Sequence, residues 1–337
     1  MAESARKPTI LLITTGGTIS MVRDPHTGRS VPTLTAANLL AHAALAAAVE
    51  VQSVALAQQP GPSRQPADLL ALAHAMQQAA KGAVDGIVVT HGTDAMEEVA
   101  YLIDEVVPAP VPIVFTGAMR PSWAAGYDGI RNLENAIRVA TTVPAEYGTL
   151  VTLNDEIFEA WNVYKADTGA LDAFAARRGA PRGRIFGDQV EFAWRPVPRV
   201  RLGRIPPSLP ATVPILTMGV ADNAVLLDQF SRGVGHDPPY EAVQGVVIAG
   251  MAAGSVPPVA RKRILSLAES GLPVVLCSSA ASGRTAEDYY YPGAYEDLRG
   301  AGVAIEDWLT PRKARIRLLL SLGLRVPYVP FGKEFVI

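Results

Sequence analysis

The sequence is poor in cysteine and has no long hydrophobic run, and each absence excludes a class of protein. Cys277 is the single cysteine of 337 residues, so neither an intrachain disulfide nor a zinc site built from several cysteines can form. The apolar run at residues 10–13 is too short for the core of a signal peptide or for a membrane span. These absences predict a soluble protein of a reducing compartment, the cytoplasm.

The chain also lacks an excess of charge of either sign, because its positive and negative residues nearly cancel. The formal net charge is −2, so no overall field attracts nucleic acid or an anionic membrane, and we expect neither as a partner. Hydrophobic residues make up 49% of the chain and charged residues 18%, the opposite of a disordered composition. At ~150 residues per domain, the length predicts two domains.

Short apolar runs alternate with helical segments through the first half of the chain. Predicted strands cover residues 9–14, 86–90, 112–116 and 149–153, and predicted helices cover 34–49, 66–81, 95–104 and 131–141. This alternation is typical of an α/β protein with a doubly wound, mostly parallel sheet.

The pattern changes after residue 184. A hairpin is predicted around Gly187 and Asp188, and a proline-rich stretch follows. Beyond it, strands are predicted at 214–217, 245–249 and 273–277, and helices at 259–270 and 311–322. We therefore predict a larger N-terminal domain at 1–195, a linker at 196–213 and a smaller C-terminal α/β domain at 214–337.

Polar clusters follow three of the predicted N-terminal strands. They lie at residues 14–18, 90–94 and 154–156, and Lys165 follows the third. Ligands of open α/β sheets bind beyond the carboxyl ends of the strands. If these strands are neighbours, two hydroxyls, a carboxylate and an ammonium meet in one crevice.

Such a set of side chains has a chemical use. A threonine hydroxyl is a weak nucleophile that needs a base, and a lysine whose pKa is lowered by burial can accept its proton. Nearby glycines let backbone N–H groups approach a developing oxyanion.

Each cluster also has a purely structural interpretation. Thr-Gly-Gly after a strand is commonly a tight turn, Thr93 or Asp94 is a suitable N-cap for the following helix, and Lys165 alone suits a solvated surface. The three clusters together, each after a strand and in this order, favour the catalytic interpretation.

Two segments resemble the signatures of bacterial L-asparaginases and glutaminase-asparaginases. These are Thr-Gly-Gly-Thr-Ile at 15–19 and Thr-His-Gly-Thr-Asp-Ala-Met-Glu-Glu at 90–98. Residues 116–122, 128–133, 154–165 and 311–320 are similar to further segments of that family, so the resemblance covers nearly the whole chain.

The resemblance implies an amidohydrolase that cleaves the side-chain amide of L-asparagine through a threonine acyl-enzyme. Thr18 would be the nucleophile, and Thr93, Asp94 and Lys165 would form a second triad; the reverse order, in which Thr93 attacks, stays open. Asp94 would also hold the α-ammonium group of the substrate. The pocket would be lined by backbone at Gly17, Gly92, Thr93 and Ala118.

The same resemblance implies the assembly and the partners. It implies a small-molecule amide substrate, no metal or organic cofactor, and a homodimer or homotetramer.

The sequence departs from the family pattern at positions that would bind the substrate. The loop at 23–32 lacks the usual tyrosine; Ser30 is nearest its place, and His26 is a candidate proton shuttle. Gly61 stands where many relatives have a serine, so we expect Ser63 and Arg64 to bind the substrate carboxylate instead.

Two further departures lie in the C-terminal half. Ala253 replaces an asparagine, and Tyr290 lies near the place of a glutamate that some relatives supply from a neighbouring subunit. A site that loses binding partners loses specificity before reactivity. Two alternatives therefore stay open: hydrolysis of another amide, such as glutamine, a D-amino-acid amide or a larger amide, and non-catalytic binding of a small molecule.

Overall fold

The computed structural model describes residues 6–56, 58–196, 199–210, 212–231, 243–285, 289 and 291–332. The chain forms two compact units, Met1–Ile205 and Pro206–Ile337, and the boundary falls inside the stretch predicted as the linker. Each unit is built on its own mostly parallel sheet. The predicted two-domain α/β fold is confirmed.

The N-terminal unit holds an eight-stranded sheet in the order β12-β11-β8-β7-β6-β5-β1-β4. Strands β4, β1, β5, β6 and β7 run parallel, and the other three pair antiparallel. The short pairs β2–β3 and β9–β10 lie outside it. The strands are β1 Thr9–Thr14, β2 Met21–Arg23, β3 Ser30–Pro32, β4 Glu50–Ala55, β5 Gly86–Thr90, β6 Ile113–Thr116, β7 Thr149–Leu153, β8 Glu156–Glu159, β9 Val163–Lys165, β10 Phe174–Ala176, β11 Gly183–Phe186 and β12 Gln189–Phe192.

Helices cover this sheet and bury its central strands. Every residue of β1, β5, β6 and β7 is buried, as their continuous apolar sequences require for strands covered on both faces. The helices are α1 Ala36–Leu40, α2 Pro66–Ala79, α3 Thr93–Val106 and α4 Gly129–Thr142.

The C-terminal unit has a four-stranded parallel sheet in the order β13-β14-β15-β16. Its last helix begins after Thr310, whose side chain accepts a hydrogen bond from the backbone N–H of Lys313. The elements are β13 Ile215–Thr217, α5 Leu227–Ser231, β14 Val246–Gly250, α6 Pro258–Glu269, β15 Val274–Ser278, α7 Tyr295–Gly300, β16 Ala304–Glu306 and α8 Pro311–Leu324.

One predicted helix is wrong, and one strand of the large sheet's parallel part was not predicted. The helix predicted at 34–49 is broken: α1 ends at Leu40, and a separate 3-10 turn follows at Ala44–Ala48. There the backbone N–H of Leu45 donates to the Glu134 carboxylate of α4, so a tertiary contact replaces a bond within a helix. Strand β4 was not predicted because it lies at the sheet edge, where five of its six residues are exposed and no apolar alternation marks it.

Across the part of the chain that the structure describes, none of the helices is both long and apolar enough to span a membrane.

Candidate active site

The first two polar clusters lie side by side. Strands β1 and β5 are neighbours in parallel register, with Thr14 opposite Thr90. Beyond the strands, the backbone N–H of Thr15 donates to the Thr90 carbonyl at 3.1 Å, and the Thr15 hydroxyl donates to the same oxygen at 2.9 Å. The two loops therefore leave the same edge of the sheet together.

Two glycines let these loops touch. Gly17 has a φ of 89°, and a Cβ atom built on it would lie 2.5 Å from the Gly92 Cα. Only glycine fits this position, because any side chain would force the backbones apart. Thr18 follows at the start of a 3-10 turn, half-buried and directly beside this contact.

The second cluster binds Lys165. The lysine Nζ donates to Thr93 Oγ1 at 2.9 Å and to Asp94 Oδ1 at 2.7 Å. Helix α3 has Gly92 as its N-cap and no side-chain capping bond, so the interpretation of Thr93 or Asp94 as the cap is wrong. The Thr93 hydroxyl is engaged by an ammonium instead.

A buried glutamate fixes the lysine backbone. Glu97 is 3% exposed, and its Oε2 accepts the N–H of Lys165 at 3.1 Å. It lies one helical turn after Thr93, on the same face of α3. The role of Glu97 was not predicted from the sequence, although its spacing of four residues from Thr93 places both on one face of the helix.

The Lys165–Asp94 ion pair is open to solvent on one side. The lysine side chain is 13% exposed and the aspartate side chain 65%. An ion pair of this kind contributes at most about 1 kcal/mol to stability. Its consequence is geometric: it fixes the ammonium beside the Thr93 hydroxyl and leaves the carboxylate accessible.

The histidine of the second cluster is buried and neutral. Burial lowers the pKa of His91 to about 4; the hydrogen bond to the Gly92 carbonyl opposes this shift, and the positive charge of Arg64 adds to it. The ring Nδ1 lies 2.8 Å from the Gly92 carbonyl oxygen, which fixes the proton on Nδ1. No described group bonds to its Nε2.

Arg64 and Ser63 differ in their surroundings. Arg64 is half-buried, donates from one Nη to the Thr15 carbonyl, and has a pKa lowered by its burial, against which the Asp68 charge acts. Ser63 is exposed at the end of the 3-10 turn Gly61–Ser63. Arg64 thus lies at the first threonine loop, and its binding to a substrate carboxylate stays a prediction.

The remaining residues singled out from the sequence differ in their surroundings. Ala118 is fully buried in the hydrophobic core, and its neighbour Gly117 lies against His91 and Thr93, so a role of the Ala118 backbone in the pocket stays a prediction. The third polar cluster does not join Thr93: the Asp155 carboxylate accepts from Arg131 at 2.8 and 3.0 Å and from Asn135 at 2.7 Å. In that region, Lys165 is the residue that the described part of the chain shows bonded to Thr93 and Asp94.

The segment that follows Thr18 is a hairpin rather than an irregular loop. Strands β2 and β3 pair antiparallel, and exposed His26 and Ser30 lie in its turn and on β3. Tyr127 supports its base, because its hydroxyl donates to the Ile19 carbonyl at 2.7 Å. Nothing in the sequence pattern singled out Tyr127.

Of the two C-terminal positions that depart from the family pattern, one lies within the described residues. Ala253 is half-buried in the loop after β14, next to Ala252, which has a φ of 42°. Tyr290 lies outside the described residues.

Comparison with known proteins gives the class and then the family. Residues 9–198 match the model of the asparaginase N-terminal domain, and residues 213–326 match that of the glutaminase/asparaginase C-terminal domain. The chain is thus an enzyme of the hydrolase class that acts on amides. More particularly, it belongs to the asparaginase family.

Relatives match over almost the full length. A probable L-asparaginase of Deinococcus radiodurans is 35% identical over 325 residues, which span 95% of this chain and 94% of that protein. An L-asparaginase of Bacillus licheniformis is 29% identical over 93% of this chain and 95% of that protein. The crystal structure of a probable cytoplasmic L-asparaginase from Campylobacter jejuni superposes with a TM-score of 0.79, at 27% identity over 94% and 95% of the two chains.

Proposed function

We propose that this chain hydrolyses the side-chain amide of L-asparagine to L-aspartate and ammonia through an ester formed on a threonine. The observation that carries the proposal is the pair of bonds from Lys165 Nζ to Thr93 and Asp94, at 2.9 and 2.7 Å, next to the loop that bears Thr18. The family and the L-asparaginase relatives support the substrate.

In the proposed reaction, the Thr18 oxygen attacks the amide carbon and the carbonyl oxygen takes up the electron pair. Backbone N–H groups of the Gly17 and Gly92 loops bind this oxyanion, and one such donor lowers the barrier by about 3 kcal/mol. The C–N bond then breaks and ammonia leaves. Water hydrolyses the ester, which restores the Thr18 hydroxyl.

Thr93 and Lys165 take part in the proton transfers of the reaction. The Thr93 oxygen accepts a hydrogen bond from the ammonium. As Thr18 attacks, the Thr93 oxygen takes up the Thr18 proton and passes its own proton to the leaving nitrogen, so the nitrogen departs as ammonia and the lysine keeps its charge. Asp94 has an exposed carboxylate for the α-ammonium of the substrate. The roles of the two threonines are reversed in the alternative order of attack.

The test is ammonia release by Thr18→Ala, Thr93→Ala and Lys165→Met. Loss of a group that transfers protons costs about 10²- to 10⁴-fold in rate, so each variant should lose at least about 100-fold in kcat. Lys81→Met, at an exposed lysine after α2, is the matched control and should be unchanged. An unaltered kcat in Lys165→Met would remove the second triad from the reaction.

Acid quenching during turnover distinguishes the two threonines. Peptide mass spectrometry should find the acyl group on the peptide with Thr18. An adduct on the peptide with Thr93 would establish the reverse order.

A second candidate is hydrolysis of a different amide, and the Gly61 site favours it. Gly61 is buried, and a Cβ built on it would lie 3.2 Å from Ala95 Cβ, so this place offers no hydroxyl and little room. Comparison of kcat/KM for L-asparagine, L-glutamine and D-asparagine decides the substrate. If none is turned over but asparagine raises the Tm, the chain is a binding protein.

The proposal also includes location and assembly: a homodimer or homotetramer in the cytoplasm. The description of the Campylobacter jejuni structure as cytoplasmic supports the location. Cell fractionation and light scattering on the purified chain test both statements; activity in a periplasmic fraction, or a monomeric mass, would contradict them.

A further inference from the structure

A separate cavity of about 580 Å³ lies in the N-terminal unit, away from the threonine loops. It is lined by Ile113 and Thr149, at the amino ends of β6 and β7, whereas the threonine loops follow the carboxyl ends of β1 and β5. These strands are parallel, so the two sites lie at opposite ends of the strands of one sheet. The volume is that of a small-molecule site.

Fixed charges form one wall of the cavity. The side chains of Asp104 and Arg199 are each 3% exposed, and Arg199 donates both to Asp104 and, at 2.6 Å, to the buried carboxylate of Glu105. Burial acts to raise the pKa of Asp104, but the charges of Arg199 and Arg201 and the N–H of Thr149 hold it below its usual value. Two cations and two anions therefore balance here.

Two charged groups of the cavity keep polar atoms to which no described residue bonds. Arg201 bonds to Asp104 only through Nε, at 3.1 Å, and its two Nη atoms have no hydrogen-bond partner among the described residues. Glu146 lines the same cavity, is exposed, and forms no ion pair within the described part of the chain. The cavity thus presents one available guanidinium and one available carboxylate.

A glycine makes room for the guanidinium. Gly148 has a φ of 72°, and a Cβ on it would collide with Arg201 and lie 2.6 Å from Asp104 Oδ1. The rest of the wall comes from the loop between α3 and β6 and is apolar. Its lining residues are Val107, Pro108, Ala109, Pro110 and Val111.

We propose that this cavity binds a free α-amino acid with a branched apolar side chain. Its carboxylate would accept from the Arg201 Nη atoms, its ammonium would donate to Glu146, and its side chain would lie on the apolar wall. A zwitterion suits the site because a carboxylate alone would leave Glu146 unpaired, and an amine alone would leave Arg201 unpaired.

Isothermal titration calorimetry with L-leucine tests the site. Saturating L-aspartate is present throughout, so that the threonine site is occupied. We expect leucine to bind, and 4-methylpentanoate and 3-methylbutylamine, which each lack one charged group, to bind at least about tenfold more weakly. No heat with millimolar leucine, or equal binding of 4-methylpentanoate, would overturn the proposal.

Variants then assign the binding to this cavity. Arg201→Met and Glu146→Gln should each raise the Kd for leucine at least about tenfold, whereas Arg204→Met, at an exposed arginine outside the cavity, should leave it unchanged. Glu146 is exposed and unpaired, so its variant keeps the fold and decides the matter even if Arg201→Met unfolds. Unchanged binding in Glu146→Gln would locate the ligand elsewhere.

Discussion

At the scale of single residues, the neutral His91 connects the site to the pH dependence of stability. Burial lowers the pKa of this imidazole to about 4 from its usual 6.5. Below pH 6.5 the unfolded chain binds a proton that the folded chain accepts only near pH 4. The free energy of unfolding therefore falls as the pH drops through this window, with a maximum contribution of about 3 kcal/mol.

His91→Asn isolates this effect, since asparagine keeps an N–H donor for the Gly92 carbonyl but does not titrate. Between pH 7 and about 4.5, urea unfolding should show the wild type losing about 2 to 3 kcal/mol more than the variant. Equal losses would mean that His91 titrates normally.

A variant of Arg64 distinguishes a role of this residue in substrate binding from a role in turnover. If its guanidinium binds the substrate carboxylate, Arg64→Met removes a charged hydrogen bond worth about 1.5–3 kcal/mol and should raise KM by about 10- to 100-fold, with kcat nearly unchanged. Steady-state kinetics on L-asparagine measure both constants. A fall in kcat at constant KM would show instead that Arg64 acts by holding the Thr15 carbonyl.

At the scale of elements, the sequence predicted where the chemistry lies better than how it is assembled. The clusters at 14–18 and 90–94 were placed correctly after strands, because both strands are apolar runs that end in threonine and are followed two residues later by glycine. Their contact depends on β1 and β5 being neighbours, and periodicity carries no information on strand order. Glu97 and Tyr127 were missed because their roles depend on backbone groups distant along the chain.

The contact between the two loops predicts a large effect of a single methyl group. Gly17→Ala adds a Cβ 2.5 Å from Gly92 Cα and should reduce kcat by about 100-fold, because small displacements of reacting groups have effects of that size. Gly271→Ala is the control: its φ of 84° imposes similar strain, yet nothing lies within 4 Å. It should lose about 1–2 kcal/mol of stability and keep its activity.

At the scale of the whole molecule, each unit has its own hydrophobic core, and the single cysteine reports on one of them. Cys277 is fully buried in β15, between β14 and β16. A thiol reagent should therefore label the native protein very slowly and label one thiol per chain in denaturant. Rapid labelling of the native enzyme would show that the C-terminal sheet opens readily.

The bond between Lys165 and Thr93 joins residues 72 positions apart in the chain. Closing a loop of that length is entropically costly, so in refolding this bond must await the docking of β9 onto α3. After dilution from denaturant, the recovery of enzymatic turnover should therefore be slower than the recovery of the helical circular dichroism signal. The rate at which activity returns then measures the last stage of folding.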